Sequence, residues 1–110
     1  MISWNDFEKV DIRTGTIVEV KEFPKARKAA WQLKIDFGKE LGIKKSSAQI
    51  VHHYTREDLI GKQILAVVNF PPKQIANFFS ECLVLGVADK SGEIVLLSPE
   101  QEVENGEKIK

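Results

Sequence analysis

The sequence predicts a small all-β fold, a five-stranded barrel with short helices and extensions at both ends. Apolar and polar residues alternate strictly from Trp31 to Phe37, the period of a strand with one buried face. Five strand-like segments are separated by turn residues, and one short helix signal lies between the third and fourth. The chain has 110 residues, so we predict a single domain over 1–110 with its barrel core at about 7–110.

Residues 1–10 predict a short helical extension ahead of the barrel. Ser3 and Asp6 have the spacing of a capping box, in which each residue caps the other's backbone. Trp4 and Phe7 would share one face of this helix. Because so short a helix is unstable alone, we expect the two aromatic side chains to pack against another surface.

The first strand is predicted over Asp11–Phe23, with Gly15 as a point where it could bend or bulge. We expect one face of this strand to carry Ile12, Thr14, Thr16, Val18 and Val20. Residues 23–28 form a loop, and the alternating segment that starts at Trp31 is the second strand.

The remaining core strands are predicted over Lys45–Val51, Gln63–Val68 and Cys82–Ala88. Thr55 and Asp58 form a second capping box for a short helix after the third strand, with Gly61 at its end. Five strands with a helix in this place have the order of the OB fold, although the strand count alone also allows another small barrel.

Two hairpins are predicted after the fourth strand's proline stop at 69–72. Residues 89–92 form a turn that leads into a returning strand, Ile94–Leu97. A small terminal hairpin would place Asn105 and Gly106 between Val103 and Ile109.

The charges balance to a formal net charge of zero, but they are unevenly distributed. Residues 1–55 hold ten Lys and Arg against seven Asp and Glu, whereas residues 56–110 hold six against nine. A basic patch for nucleic acid would use Lys25, Arg27, Lys28, Lys44, Lys45 and Lys73. The alternative is an ordinary solvated surface.

The segment 70–79 is the most informative local feature, with three Phe residues, two prolines and one Lys. Its candidate polypeptide-binding residues are Phe70, Lys73, Phe78 and Phe79. Exposed rings here would suit apolar side chains of an unfolded chain, and equally the stacking of bases. Alternatively, the rings cap the barrel or fill a contact between two copies.

The sequence gives no sign of catalysis or of a cofactor. Cys82 is the only cysteine, which excludes an intramolecular disulfide and a Cys-based zinc cluster, and it reads as a buried structural thiol. His52 and His53 would point to opposite faces of a strand, a poor geometry for one metal ion. No nucleophile elbow, Walker loop, Rossmann fingerprint or HExxH motif is present, so we predict no enzyme and no metal site.

The apolar runs are too short to span a membrane, and the first ten residues do not resemble a signal peptide. We therefore predict a cytoplasmic protein without membrane insertion.

Five segments together resemble the tRNA-binding domain family. They begin with residues 11–17, Asp-Ile-Arg-Thr-Gly-Thr-Ile, and continue through 24–26, 35–38, 59–62 and 68–69. Within that family the chain is most similar to the CsaA chaperone branch, through residues 46–50, 67–76 and 80–86. The RNA-binding relatives tend to carry Ser-Gly in place of Ala48-Gln49, and Arg-Gly in place of Ala76-Asn77.

This resemblance implies an OB-fold homodimer that binds unfolded or export-destined polypeptides without ATP. It also implies a dimer interface built from the terminal extensions, for which the candidates are Trp4, Phe7, Val103 and Ile109. The alternative implied by the family as a whole is a tRNA-binding protein that grips RNA through barrel loops and the basic residues.

Overall fold

A computed structural model describes all residues from 1 to 110 as a barrel with short helices. The helices are α1 Trp4–Glu8, α2 Gly38–Leu41 and α3 Arg56–Leu59. The strands are β1 Ile12–Glu22, β2 Trp31–Asp36, β3 Ile43–Ala48, β4 Gln63–Val67, β5 Lys73–Ile75, β6 Phe78–Ser80, β7 Leu83–Val84, β8 Gly86–Ala88 and β9 Ile94–Leu96.

The main sheet is antiparallel and has the order β3-β2-β1-β4-β7. It curls so far that its two edge strands approach each other. The Glu81 N–H donates to the Lys45 carbonyl over 2.7 Å, and the Ser46 hydroxyl donates to the Cys82 carbonyl over 3.1 Å. The predicted all-β, OB-like five-stranded barrel is therefore confirmed, and it is nearly closed.

The barrel core is filled by the apolar face of β2 and by side chains from the strands and helix around it. Leu33, Ile35 and Phe37 are almost fully buried, as the alternation predicted, whereas Lys34 is exposed. Leu59 of α3 and Ile64 of β4 are also fully buried.

Strand β1 departs from the predicted single face. Its pairing with β2 shifts register between Ile17 and Glu19, so a bulge changes which side chains point inward. Ile17 and Val20 are buried on the core side, whereas Val18 is 46% exposed. The prediction that Val18 and Val20 share a face was wrong because Val18 lies in the bulge, between the paired residues Ile17 and Glu19.

Gly15 is not the site of the bulge in β1. Its role is to leave room for the core side chains that lie against it. A Cβ atom at this position would lie 2.7 Å from Ile35 Cγ2 and 2.8 Å from the Phe37 ring. The strand can therefore cross the core at this point only because no side chain is present.

Both predicted capping boxes are present. Ser3 and Asp6 cap α1, and Thr55 and Asp58 cap α3, each with reciprocal hydrogen bonds between side chain and backbone. The backbone N–H and hydroxyl of Thr55 hold the pKa of Asp58 below its ordinary value, because they favour the carboxylate.

Two predictions for the C-terminal half need correction. The predicted strand Cys82–Ala88 is divided into β7 and β8, because the pairing partner changes from β4 to β9 at Leu85. The predicted terminal hairpin around Asn105 and Gly106 was wrong, because those residues follow β1 instead. The Gly106 N–H donates to the Thr14 carbonyl, and the Thr14 N–H donates to the Glu107 carbonyl.

None of the helices is long and apolar enough to cross a membrane.

Candidate functional site

An apolar groove lies where the barrel fails to close, between the edge strands β3 and β7. Each neighbouring pair in the main sheet is antiparallel, so β3 and β7 run in the same direction. The bonds at Lys45 and Ser46 join them at one end. Beyond that junction the two edges line opposite sides of what we call the β3–β7 groove.

The groove has a volume of about 730 Å³, within the usual range for ligand-binding clefts. Ten of its 17 lining residues are hydrophobic. Its walls come from four parts of the chain, namely residues 47–50, 70–75, 80–86 and 94–96. Only Lys73 and Glu81 bring formal charges to it, so the groove offers a mostly neutral, apolar surface.

The segment that the sequence predicts as a loop contains a short hairpin, β5–β6. Ile75 pairs with Phe78, and Ala76 turns the chain with a positive φ of 53°. Phe70 and Lys73 line the groove, and the Phe70 side chain is 55% exposed.

The other two predicted polypeptide-binding residues lie outside the groove. The Phe78 ring packs against the Phe23 ring with centroids 5.4 Å apart, and Lys45 Nζ lies 5.3 Å from the Phe78 centroid. Phe79 follows on the opposite face of β6 and is 48% exposed. The structure therefore brings together only half of the predicted set.

The sequence did not identify the groove residues after β3 and on β7 and β9, such as Ile50, Val84 and Ile94. Their only signal in the sequence is membership of apolar strands, which does not distinguish a groove wall from the core.

Most of the predicted basic side chains lie on elements that surround Phe78. The Phe78 ring contacts Phe23, where the loop of residues 24–29 begins, and it lies beneath Lys45. The loop carries Lys25, Arg27 and Lys28, all exposed, and the β5–β6 hairpin carries Lys73. Five of the six predicted cations thus lie on elements that meet at Phe78. Lys44 points to the face of β3 opposite Lys45.

Cys82 lies in the groove wall as a buried thiol, in agreement with the reading from the sequence. Burial raises the pKa of this thiol to about 12, because the thiolate would lose its hydration. Cys82 is therefore neutral and adds no charge to the wall.

His53 joins the loop after β3 to the turn between β8 and β9. Its Nε2 lies 2.6 Å from Asp89 Oδ2, and this hydrogen bond is the largest cause of the lowered pKa of Asp89. The His52 ring lies edge-on at 4.8 Å from the His53 ring. No group of three or more His, Cys, Asp or Glu side chains is arranged to hold a metal ion.

Three of the four residues proposed for a dimer interface, Trp4, Phe7 and Ile109, lie at the adjacent chain ends, whereas Val103 is hydrogen-bonded to Gln63 of β4. Lys108 Nζ donates to the Glu8 carbonyl, and Ile109 N–H donates to the Ile12 carbonyl. Trp4 is 82% exposed, so the packing partner expected for it does not come from this chain. Phe7 and Ile109 are half-buried and Val103 is exposed.

The chain matches one protein family over most of its length. Residues 12–108 match the model of the family described as "Putative tRNA binding domain". Among curated proteins, it is 37% identical over 109 residues to the methionine–tRNA ligase of Porphyromonas gingivalis, covering 99% of this chain and 16% of that enzyme. For the Pyrococcus horikoshii ligase the identity is 35%, with 99% of this chain and 14% of the enzyme covered. The chain thus spans about a sixth of the length of these enzymes.

Solved structures give closer matches over full length. The structures of the CsaA chaperone from Picrophilus torridus and from Bacillus anthracis each share 55% identity with this chain and a TM-score of 0.93. Each match covers all of this chain, with 100% and 99% of the two neighbours. A methionyl-tRNA-synthetase-related protein from Pyrococcus horikoshii matches at 23% identity and a TM-score of 0.87, covering 100% and 98%, which shows a shared fold.

Proposed function

This chain belongs to the tRNA-binding domain family and is of the CsaA type within it, and from this premise we propose that it is a chaperone. As a homodimer it binds unfolded or export-destined segments of other polypeptides, and it does so without ATP.

The β3–β7 groove is the observation that carries this proposal. An unfolded chain offers apolar side chains without a fixed shape, and the groove offers an open apolar wall with an exposed ring, Phe70, beside it. Only two charged residues line the groove, so little in it selects for a particular charge pattern in the client.

The proposal is tested by binding of a permanently unfolded, labelled polypeptide to the purified protein. Replacing Phe70 by Ala should weaken this binding several-fold, because an exposed ring of the groove is lost. The control is Val18→Ala, which removes an exposed apolar side chain outside the groove. Binding that is insensitive to Phe70→Ala, or absent from the wild type, contradicts the proposed site or the proposed function respectively.

A second candidate function is tRNA binding, favoured by Lys45 over the Phe78 ring and by the exposed Lys25, Arg27 and Lys28 of the loop that begins at Phe23. Binding through phosphate contacts should weaken steeply with salt, because neutralised phosphates release counterions. Binding of an apolar polypeptide should change little with salt.

The two functions are separated by titrating the protein with total tRNA at low and physiological salt, with the unfolded polypeptide in parallel. Replacing both Arg27 and Lys28 by Ala should weaken tRNA binding and lower its salt slope by about 2. A matched control removes two exposed lysines elsewhere, Lys39 and Lys90. If the Arg27/Lys28 variant binds tRNA as tightly as the control, the basic patch is wrongly placed.

A further inference from the structure

The β3 side of the groove presents backbone groups that have no partner in the chain. Along β3, alternate residues turn their backbone N–H groups toward the edge that faces the groove. The Lys45 N–H donates to Glu81 Oε1, and the Ser47 N–H donates to Ser80 Oγ. Gln49 is the first residue after β3 and continues this alternation, and its N–H and carbonyl form no hydrogen bond within the chain. Ala48 and Ile50, on either side of it, turn their side chains into the core.

The β7 side presents a second pair of such groups. Leu85 N–H donates to the Leu65 carbonyl, so that pair is hydrogen-bonded, and Val67 with Leu83 is the next hydrogen-bonded pair. Because bonded and non-bonded pairs alternate in an antiparallel ladder, the N–H and carbonyl of Val84 point away from β4. They face the groove, since β7 is the last strand of the sheet and no strand pairs with its outer edge.

We propose that the polypeptide bound in this groove is an extended strand that inserts between β3 and β7. Its backbone exchanges hydrogen bonds with Gln49 on one side and Val84 on the other, and so completes the sheet where the barrel is open. This inference rests on the proposed polypeptide-binding function and specifies the conformation of the ligand.

Backbone recognition of this kind fits a ligand of variable sequence. In a strand, successive residues turn their N–H and carbonyl groups to opposite sides, so alternate residues would bond to β3 and to β7. Alternate side chains would point toward the apolar lining, which includes Ile50, Ile94 and Leu96, and the others would point to solvent. Strand addition takes its affinity from the main chain and its selectivity from such alternate positions.

The test uses a labelled octapeptide of alternating Leu and Ser with a Lys at each end. It is compared with the same peptide carrying a single N-methyl group on a central residue, which removes one N–H without changing any side chain. We expect the N-methylated peptide to bind at least ten-fold more weakly. Equal affinities would overturn the strand mode, as would failure of the octapeptide to bind a protein that does bind the unfolded polypeptide. If neither ligand binds, the proposed function itself fails.

A variant of the protein tests the proposed hydrogen bond between the Gln49 backbone and the peptide. Gln49→Pro removes the free N–H of the β3 edge, and the preceding Ala48 already has the extended conformation that proline favours. The control Gln49→Ala keeps the N–H. We expect Gln49→Pro to weaken octapeptide binding about ten-fold and Gln49→Ala to leave it unchanged. If Gln49→Pro instead weakens self-association and not peptide binding, a second copy occupies these edges and the proposal is wrong.

Discussion

Ala76 is the only residue other than glycine with a positive φ, and it lies at the tip of the hairpin beside the groove. Its φ of 53° is in the left-handed region, where a Cβ approaches the following carbonyl oxygen. The tip is nevertheless closed tightly by pairing of Ile75 with Phe78. The sequence did not predict this turn, because an Ala-Asn pair is a weaker hairpin signal than Asn-Gly.

Replacing Ala76 by Gly should stabilise the protein by up to about 1 kcal/mol, since glycine adopts this φ without steric cost. The gain is reduced by the greater freedom of glycine in the unfolded chain. Denaturant unfolding measures the change. The control Ala29→Gly, at an exposed position with negative φ, should lower stability by about 0.5 kcal/mol. A loss of stability in Ala76→Gly would contradict the strain.

Other residues show that the sequence predicts a feature only when its interacting partners are close together in the chain. The capping boxes of Ser3 and Thr55 were readable because both partners lie within one helical turn. The bulge in β1 was not readable, because it depends on the register with β2 across the sheet.

At the scale of elements, the C-terminal segment is held to β1 by a buried hydroxyl. Thr14 Oγ1 donates to the Glu104 carbonyl over 2.8 Å and accepts from the Glu107 N–H over 3.1 Å. Arg13 adds a bond from its guanidinium to the Gly106 carbonyl, and its pKa is raised chiefly by its hydrogen bond to Asp11. A single β1 segment thus fixes the path of residues 104–109.

Replacing Thr14 by Val should destabilise the protein by about 1–3 kcal/mol, because both backbone partners lose their bonds while the side-chain shape is kept. Hydrogen exchange should accelerate at residues 104–109 before the barrel core. Thr14→Ser keeps the hydroxyl and serves as the control. Unchanged exchange in Thr14→Val would show that the segment is held by other contacts.

The turn between β8 and β9 is organised by Asp89. Its carboxylate accepts from the backbone N–H groups of Ser91 and Glu93, and it bonds to His53. The predicted turn at 89–92 was readable from its residues, but its link to His53 was not, because 36 positions separate the two.

Asp89 should make stability depend on pH in the acid range. Its pKa is lowered from 3.8, first by the hydrogen bond with His53 and then by the bond with Glu93, because these favour the carboxylate in the folded state. This contribution is present above the unfolded pKa and is lost as pH falls through the folded one. The stability difference between wild type and Asp89→Asn should therefore be fully present well above the unfolded pKa of 3.8 and shrink as the pH falls below it. The variant His53→Gln should shrink the difference; a difference independent of pH would contradict the assignment.

At the scale of the whole molecule, the groove is built from four separate parts of the chain, and for that reason the sequence revealed only part of it. Phe70 and Lys73 attract attention in a proline-rich segment, whereas Ile50, Val84 and Ile94 look like ordinary core residues. Their common position results from the curl of the sheet, which brings β3 beside β7 but leaves them unpaired. Whether two edges meet cannot be derived from either strand alone.

The adjacent termini suggest how two copies would associate. Asn69 holds the junction of α1 and β1 by donating to the Lys9 carbonyl and accepting from the Asp11 N–H. The helix that carries Trp4 is therefore anchored to the barrel although its indole ring is 82% exposed. A large exposed ring on an anchored helix fits an interface core, where aromatic residues are enriched.

Replacing Trp4 by Ala should weaken the proposed homodimer without unfolding the monomer, because the ring has little contact within its own chain. A central interface aromatic typically contributes at least about 2 kcal/mol, which corresponds to a roughly 30-fold weaker dimer. Sedimentation velocity over a concentration series measures this change, and thermal unfolding confirms that the fold is retained. The control Val18→Ala removes an exposed apolar side chain outside both termini and should leave association unchanged. A wild-type protein that sediments as a monomer would refute the dimer, whereas a dimer unaffected by Trp4→Ala would move the interface to another face, the groove edges being the first to examine.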